Sequence, residues 1–345
     1  MKRFQIILGA VSVLCLVSVL VSSLIIGSMA ASLDCQNAVS RWASDGTKTA
    51  QISCFLTEDA GFDRMRVERS LKESLDKALV DASISPPKEG ARLLALAFST
   101  QTSAALSVTN EYGRQIGGTL NVTVNACGGD YFIFHPLKML SGYYFSTTDL
   151  LNDCIVIDND VAWQFFGSSD VVGRRMRING RDCYISGVTE NGRAGDYSEF
   201  YGQSPMIYVP YSFAEELGDE LSVTSVEVLL PDPVGGFALE MFKKAMSVSD
   251  GESEFVENSA RFKDENLKAL IRGFSRRSVR EKSVTFPFYE NTARVLNDRA
   301  ATVFVFKLIP LYIIGIVAAC EAVILYINRK RIFKFIGSKL KRRGR

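Results

Sequence analysis

The 345-residue sequence contains a single histidine, His135, and lacks the phosphate-binding motif Gly-x-x-x-x-Gly-Lys-[Ser/Thr]. One histidine excludes histidine-rich metal sites and argues against a Ser-His-Asp catalytic arrangement. Without the phosphate-binding motif, the sequence predicts no nucleotide-hydrolysing module. We therefore predict no catalytic, metal or cofactor site and a protein that is not an enzyme. We interpret His135, which precedes Pro136, as a packed loop residue.

Cysteines are few, and none of the seven has the spacing of metal ligands. Cys15 and Cys320 fall in apolar runs near the two ends of the chain. The other five lie between these runs: Cys35, Cys54, Cys127, Cys154 and Cys183. An odd number leaves at least one of the five unpaired. A Cys35–Cys54 disulfide and free buried thiols are both compatible with the sequence, so the pairing stays open.

Charged residues are absent between Phe4 and Ala31. A second apolar run, at residues 303–327, contains only two charged residues, Lys307 and Glu321. A helix needs about 20 apolar residues to cross a bilayer. The first run is longer than the apolar region of a cleaved signal peptide, about 7–15 residues. The sequence therefore predicts two transmembrane helices, at residues 4–31 and 303–327.

Basic residues flank these helices asymmetrically. Lys2 and Arg3 precede the first helix, and nine basic residues with no acidic residue follow the second. The side richer in Lys and Arg stays cytoplasmic, so both termini are predicted inside and residues 32–302 outside. This outer segment holds 28 basic and 37 acidic residues, a net charge of −9. That balance argues against nucleic-acid binding.

The C-terminal tail, residues 328–345, is basic and amphipathic, because Ile332, Phe335 or Ile336, and Leu340 fall on one helical face. It is interpreted either as a helix on the anionic inner leaflet or as a docking helix for an ATPase. The residues proposed for this contact are Arg329, Lys330, Arg331, Lys334, Phe335 and Lys339. Within the second helix, Lys307 and Glu321 are interpreted as interfacial anchors or as a polar contact with a neighbouring span.

The outer segment shows alternating strand and helix patterns. Its first third predicts a strand at 51–56, a helix at 63–82, and strands at 92–108 and 115–126. Val67, Leu71, Leu75 and Leu79 fall on one face of the helix, and Asp63 is its predicted N-cap. The last third predicts an alternating strand at 223–230, a helix at 237–246, a strand at 254–260, and a helical stalk interrupted by Pro287.

Residues 128–220 are rich in aromatic side chains, and 154–188 are the most informative. Cys154–Ile157 predicts a short buried strand, followed by a helix that Asp158 caps and Gly167 closes. Asn179–Gly180 predicts a two-residue hairpin turn. That turn pairs Ile178 with Arg181, Arg177 with Asp182, and Met176 with Cys183. A further strand is predicted at 205–211.

These elements predict an α+β extracytoplasmic domain flanked by two transmembrane helices. We expect a porter-like subdomain with an inserted β-rich subdomain. The predicted division is a cytoplasmic N-terminus at 1–3, a first helix at 4–31, the outer domain at 32–302, a second helix at 303–327 and the tail at 328–345. Within the outer domain, 32–127 and 221–262 are the porter-like halves, 128–220 the insertion and 263–302 the stalk.

The stretch CIVIDNDVAWQFFGSSDVVGRRMRINGRDCYISGV, residues 154–188, resembles the periplasmic core domain of MacB/FtsX-type ABC transporter permeases. SGYYFSTTDL upstream is similar to a further motif of that family. The resemblance is specific over residues 142–211. The residues that it marks as structural are Gly142, Phe145, Asp149, Gly167, Gly173, Asn179, Gly180 and Gly187.

The resemblance implies mechanotransmission, in which cytoplasmic ATP hydrolysis moves the spans and reshapes the outer domain. It implies a cytoplasmic ABC ATPase and a further permease subunit as partners, and a membrane oligomer. Such permeases usually have four spans, whereas this chain has two. The alternative hypothesis is a two-span sensor or assembly scaffold that binds an extracellular peptide, glycan or protein.

Overall fold

The computed structural model describes residues 2–42, 48–86, 91–109, 112, 114–146, 152–190, 204–218, 220–277 and 283–343. The chain divides into two units. One comprises residues 1–30, 262–272 and 296–345, and the other comprises residues 31–261 and 273–295. Asp149 and residues 191–203 lie outside the described residues.

The described part of the first unit is helical. It contains α1 (Lys2–Ala31), the first part of α8 (Asp264–Arg277) and most of α9 (Phe288–Arg343). Ile26, Leu267 and Phe304, one from each helix, are buried in one cluster. Two stretches are long enough and apolar enough to cross a membrane, Ile6–Ala31 and Phe288–Ile327. The predicted second span is therefore part of a longer helix, which continues through Pro310.

The second unit is the folded domain. Its strands are β1 (Thr49–Leu56), β2 (Ala95–Thr109), β3 (Gln115–Gly129), β4 (Met139–Gly142), β5 (Cys154–Asp158), β6 (Arg175–Ile178), β7 (Arg181–Thr189), β8 (Met206–Pro210), β9 (Ser225–Pro231) and β10 (Ser253–Glu257). Its helices are α2 (Ala38–Trp42), α3 (Lys72–Asp81), α4 (Tyr131–Phe134), α5 (Asn159–Phe166), α6 (Tyr211–Glu215) and α7 (Phe237–Met246). One turn of π-helix (Arg66–Leu71) leads into α3, and a 3-10 turn (Asp34–Gln36) precedes α2.

These strands form one mixed sheet in the order β10-β1-β9-β2-β3-β8-β5-β7-β4. β6 pairs with both β2 and β7. The pairings β2-β3-β8-β5-β7-β6 therefore close on β2 as a ring. The long hairpin of β2 and β3 contributes to both the ring and the open part of the sheet. The division into porter-like halves and an inserted subdomain stays a prediction.

The open part of the sheet is buried on both faces. On one face, Ile52 and Cys54 of β1 and Val228 of β9 enter a core with α3 and α7. Because side chains alternate along a strand, Ser53 and Glu227 face the opposite side. That side is covered by α2, α4 and the start of α9. The prediction that β9 alternates in polarity is confirmed, but its polar positions face a second buried layer and not solvent.

The strongest local signals of the sequence match the structure. Val67, Leu71, Leu75 and Leu79 are buried on one helical face. The backbone N–H of Arg66 donates to Asp63 Oδ1 at 2.7 Å. The hairpin of β6 and β7 has the predicted register at all three pairs. Each of these features depends on neighbours within a few residues.

One expectation needs correction, and one open choice is decided. The predicted strand at 254–260 ends at Glu257, and Asn258–Ala260 forms a 3-10 turn. The pairing of Cys35 was left open by the sequence; in the structure Cys35 is a free thiol, so a Cys35–Cys54 disulfide is not formed.

Candidate functional site

The second buried layer contains an ion pair between His135, which follows α4, and Glu227 in the middle of β9. His135 Nε2 contacts Glu227 Oε2. The two residues are only 2% and 3% exposed. Ser53 Oγ of β1 donates to the other carboxylate oxygen, Glu227 Oε1, at 2.6 Å. Both carboxylate oxygens are therefore satisfied within the protein, as a buried charge requires.

The pair holds His135 in its protonated form. Burial alone would lower the pKa of His135, but attraction to Glu227, with a further contribution from Cys35, raises this pKa from 6.5 to about 10. At neutral pH the imidazole is therefore a cation. Its Nδ1 has no hydrogen-bond partner among the described residues.

A chain of hydrogen bonds and ion pairs continues from Glu227 across the sheet. Asn258 Nδ2 donates to Ser53 Oγ at 2.7 Å. Arg261 Nη2 donates to Asn258 Oδ1 at 3.1 Å and to Glu290 Oε2 at 2.6 Å. We call His135, Glu227, Ser53, Asn258, Arg261 and Glu290 the polar network. It joins β9 and β1 to the first turn of α9.

The first turns of α9 are fixed to the domain by further contacts. Arg294 Nε donates to Glu290 Oε1 at 2.8 Å, and Arg294 also pairs with Glu254 of β10. The Tyr289 hydroxyl lies 2.9 Å from Ser225 Oγ. The rings of Tyr289 and His135 are 4.0 Å apart between centroids. The helix that contains the second candidate span thus begins as a core element of the domain.

A cavity of about 170 Å³ adjoins the network. Its aromatic walls are Tyr131, Tyr208 and Phe288. Its polar lining includes both basic and acidic side chains: Cys35, His135, Lys138, Asp158, Thr189, Glu190 and Ser204. Lys138 Nζ is paired with Glu190 at 2.8 Å. A cavity with a few polar groups and an apolar wall can hold a small molecule or one side chain of a partner.

Residues 6–240 match the family model of the MacB-like periplasmic core domain. The chain belongs to this family. It is therefore a component of a MacB/FtsX-type ABC transporter, and the resemblance stated from the sequence is confirmed. No curated protein sequence matches the chain significantly.

Three solved structures are similar to this MacB-like chain. The periplasmic region of MacB from Actinobacillus actinomycetemcomitans has 16% identity and a TM-score of 0.42, over 67% of this chain and 98% of that one. The extracellular domain of the noncanonic ABC-type transporter YknZ from Gram-positive bacteria has 13% identity and a TM-score of 0.38, over 60% and 100%. A domain of a putative permease from Porphyromonas gingivalis has 15% identity and a TM-score of 0.34, over 61% and 88%.

Two family-motif residues of the MacB-like domain, Gly142 and Gly187, lie in the β4–β7 pair. Gly142 of β4 is opposite Gly187 of β7, and a Cβ on either glycine would collide with backbone oxygens. Phe145 is buried against Phe132, with ring centroids 5.1 Å apart. The remaining described motif residues lie in turns: Gly167, Gly173, Asn179 and Gly180. Asp149 lies outside the described residues. A structural role for this set stays a proposal.

The charged residues predicted in the second span are not brought together. Lys307 Nζ pairs with Asp264 of α8 at 3.1 Å. Glu321 is exposed and has no ion-pair partner in the described part of the MacB-like chain. In the tail, the Arg329 guanidinium lies 4.4 Å from the Tyr326 ring centroid. The backbone is helical to Arg343, but the side chains of Lys330, Arg331, Lys334, Phe335 and Lys339 lie outside the described set.

The sequence analysis missed the polar network. It interpreted His135 as a packed residue, and the side chain is indeed buried. It did not identify Glu227 as the partner of the imidazole. Glu227 offered a signal, because a carboxylate between Val226 and Val228 in a buried strand needs a cation or a donor. Its partners are 92 and 174 residues away, so no local pattern identifies them.

Proposed function

We propose that this protein is a non-catalytic membrane subunit of a MacB/FtsX-like ABC transport or mechanotransmission complex. Both termini lie in the cytoplasm, and the folded domain lies outside and is moved by, or docks with, partner proteins. The observation that supports this role most directly is the way in which α9 begins. Its first turns contribute Tyr289 and Glu290 to the domain core, and the same helix contains the second candidate span.

The polar network suits the transmission of a displacement of α9. Glu290 is 1% exposed and is bound by both Arg261 and Arg294. Breaking a buried pair by separating one partner costs about 3–5 kcal/mol. A movement of the first turns of α9 therefore moves β1 and β9 with them more readily than it breaks these contacts. Both strands belong to the open part of the sheet.

The proposed partners are a cytoplasmic ABC ATPase and a further permease subunit, in an oligomer. The proposed contact for the ATPase is the tail, residues 329–345, with Arg329, Lys330, Arg331, Lys334, Phe335 and Lys339. The tail also faces the anionic lipids of the inner leaflet in this arrangement. Lys2 and Arg3 place the N-terminus on the same side.

Co-purification tests this proposal. The tagged full chain and a variant without residues 329–345 are expressed in the native cell and extracted in mild detergent, and bound proteins are identified by mass spectrometry. We expect an ATP-binding cassette ATPase with the full chain and its loss from the truncated variant. The control is the substitution Lys243→Met at an exposed position of α7, which should retain the ATPase. Equal recovery of the ATPase with the truncated variant would mean that the tail contacts only lipid. If no ATPase is recovered with the full chain, the proposal is contradicted.

A sensor or scaffold is the second candidate, and the cavity beside His135 is the observation that favours it. A sensor that binds a peptide or glycan in this cavity would gain thermal stability from the ligand, since ligands that bind only the folded state stabilise it. Cell-wall peptides and glycans added to the purified full chain would raise its melting temperature under this hypothesis. The substitution Tyr208→Ala would abolish that increase.

A further inference from the structure

Contacts of Arg41 hold the turn of Cys35 next to His135, and a contact of Gln51 fixes the backbone of Cys35 to β1. Arg41 Nη2 donates to Asp34 O at 2.8 Å and to Phe134 O at 3.1 Å, so it joins the turn of Cys35 to the helix that precedes His135. Gln51 Nε2 donates to Cys35 O at 2.5 Å. Cys35 is half-buried, and both Cys35 and His135 line the same cavity.

The second ring nitrogen of His135 needs an acceptor. Nε2 is engaged by Glu227, and the buried Nδ1 has no partner among the described groups. Because the ring is protonated at neutral pH, Nδ1 is a donor of an N–H. Cys35 is close enough to the ring to contribute to its raised pKa. A sulfur anion accepts such an N–H far better than a neutral thiol does.

From this geometry we infer that Cys35 is a nucleophilic thiol that forms a mixed disulfide with low-molecular-weight disulfides that enter the cavity. The three groups have the order of an activated nucleophile: sulfur, a cationic ring beside it, and a carboxylate that orients the ring. The imidazolium stabilises the negative charge that the Cys35 sulfur bears when it attacks. This inference is independent of the proposed transport function.

The reaction is a thiol–disulfide exchange. Cys35 releases its proton to solvent, and its sulfur attacks one sulfur of the small disulfide. The disulfide bond breaks, a new bond forms between the attacked sulfur and Cys35, and the other half leaves as a thiolate that takes a proton from water. Cys35 is oxidised, and the departing half of the disulfide is reduced. No further reagent is required.

The cavity has a volume of about 170 Å³ and is partly open to solvent, so a small disulfide can reach Cys35. It accommodates a small organic group joined to Cys35, against the aromatic walls of Tyr131 and Tyr208.

Other cysteines of the chain serve as internal references. Burial raises the pKa of Cys127 and of Cys183, so these thiols are poor nucleophiles at neutral pH. Cys154 is half-buried, as Cys35 is, but it does not line the cavity. The ratio of labelling at Cys35 to labelling at Cys154 therefore cancels differences in protein concentration and general accessibility.

Disulfide exchange on the purified full chain in detergent tests the inference. The protein at pH 7 is treated with 4,4′-dithiodipyridine, quenched at intervals, and mapped by peptide mass spectrometry. We expect Cys35 to react at least about tenfold faster than Cys154. His135→Asn should reduce this ratio about tenfold, and Glu227→Gln should reduce it in the same direction. The melting temperature of each variant is measured in parallel.

Each outcome decides the question. If Cys35 reacts no faster than Cys154 in the unsubstituted protein, the inference is wrong, and this comparison stands even where a variant fails to fold. If Cys35 reacts rapidly but a folded His135→Asn variant keeps the same ratio, the ring does not activate the sulfur and the inference is also overturned. A fall in the ratio with an unchanged rate at Cys154 supports it.

Discussion

At the residue scale, the placement of Glu227 determines the chemistry of the domain interior. Its carboxylate lies in a strand whose neighbours Val226 and Val228 are fully buried. An uncompensated charge at such a position costs several kcal/mol. His135 as a cation and the Ser53 hydroxyl together offset this cost. The stability of the domain therefore depends on the protonation of one histidine.

This dependence predicts a fall in stability with rising pH. The folded-state pKa of His135, about 10, exceeds the ordinary value of 6.5, so the folded state binds the proton more tightly than the unfolded state. The stabilisation is complete below about pH 6.5 and is lost as the pH rises towards 10. We expect the free energy of unfolding to fall by a few kcal/mol, to order of magnitude, between about pH 6.5 and 10. Thermal unfolding followed by the fluorescence of Trp42 and Trp163 measures it.

Glu227→Gln separates this effect from other titrations. The amide retains an acceptor for Ser53 but carries no charge to hold the proton on His135. The variant should melt below the unsubstituted protein at pH 6.5 and should lose the slope between pH 6.5 and 9.5. The matched control is Glu216→Gln, which makes the same chemical change in the exposed pair with Arg181. An unchanged slope in Glu227→Gln would show that another group is responsible.

Gly187 offers a test of backbone packing between β7 and β4. A Cβ at this position would lie 2.6 Å from Tyr143 O and would also collide with the Met139 side chain. We expect Gly187→Ala to lower the free energy of unfolding by about 1–3 kcal/mol, as overpacking does. Gly118→Ala is the control, since nothing lies within 4 Å of its Cβ position. Equal melting temperatures for the two variants would mean that the β4–β7 pair adjusts without cost.

At the scale of elements, the attachment of α9 depends on a few ion pairs. Arg261→Met removes one of the two guanidinium groups that bind the buried Glu290 carboxylate. Because Arg294 still binds Glu290, we expect the free energy of unfolding to fall by about 2–3 kcal/mol, less than for a buried charge with no partner at all. Lys243→Met, in an exposed pair with Glu240, should change stability by less than about 0.5 kcal/mol. Thermal unfolding of the three proteins gives the comparison.

A double substitution distinguishes an ion-pair effect from a packing effect. In Arg261→Met with Glu290→Leu, the buried carboxylate that has lost one of its two guanidinium partners is removed, and Arg294 keeps its contact with Glu254. The double variant should therefore be more stable than Arg261→Met alone. If the stability losses of Arg261→Met and Glu290→Leu simply add in the double variant, the Arg261 guanidinium and the Glu290 carboxylate do not stabilise each other.

The same elements show what a sequence predicts and what it does not. α5 and the β6–β7 hairpin were predicted at the residue level, because the Asp158 cap and the Asn179–Gly180 turn act within a few residues. The parallel pairing of β3 with β8, and the ring that β6 closes, join segments 70 or more residues apart. No local pattern specifies them. The polar network falls in the same class, since Glu227 contacts residues 92 and 174 positions away in the sequence.

At the scale of the whole molecule, the family membership and the two apolar helices are consistent with a two-pass membrane protein, for which we propose that both termini lie inside. Trypsin added to intact cells should then cut the domain, which exposes basic residues such as Lys48 and Lys138. Epitope tags at the two ends should survive on short membrane-bound fragments. Immunoblotting for each tag before and after permeabilisation measures this. In Gram-negative cells, the outer membrane is first removed.

The tail supplies the control within the same experiment. Residues 329–345 contain nine basic residues, so this segment is itself an excellent trypsin substrate. Survival of the C-terminal tag in intact cells, followed by its loss after permeabilisation, therefore reports shielding by the membrane and not resistance of the segment. A domain that stays intact until lysis would reverse the proposed orientation. A cytoplasmic ATPase could then contact the folded domain directly, and transmission through α9 would have no role.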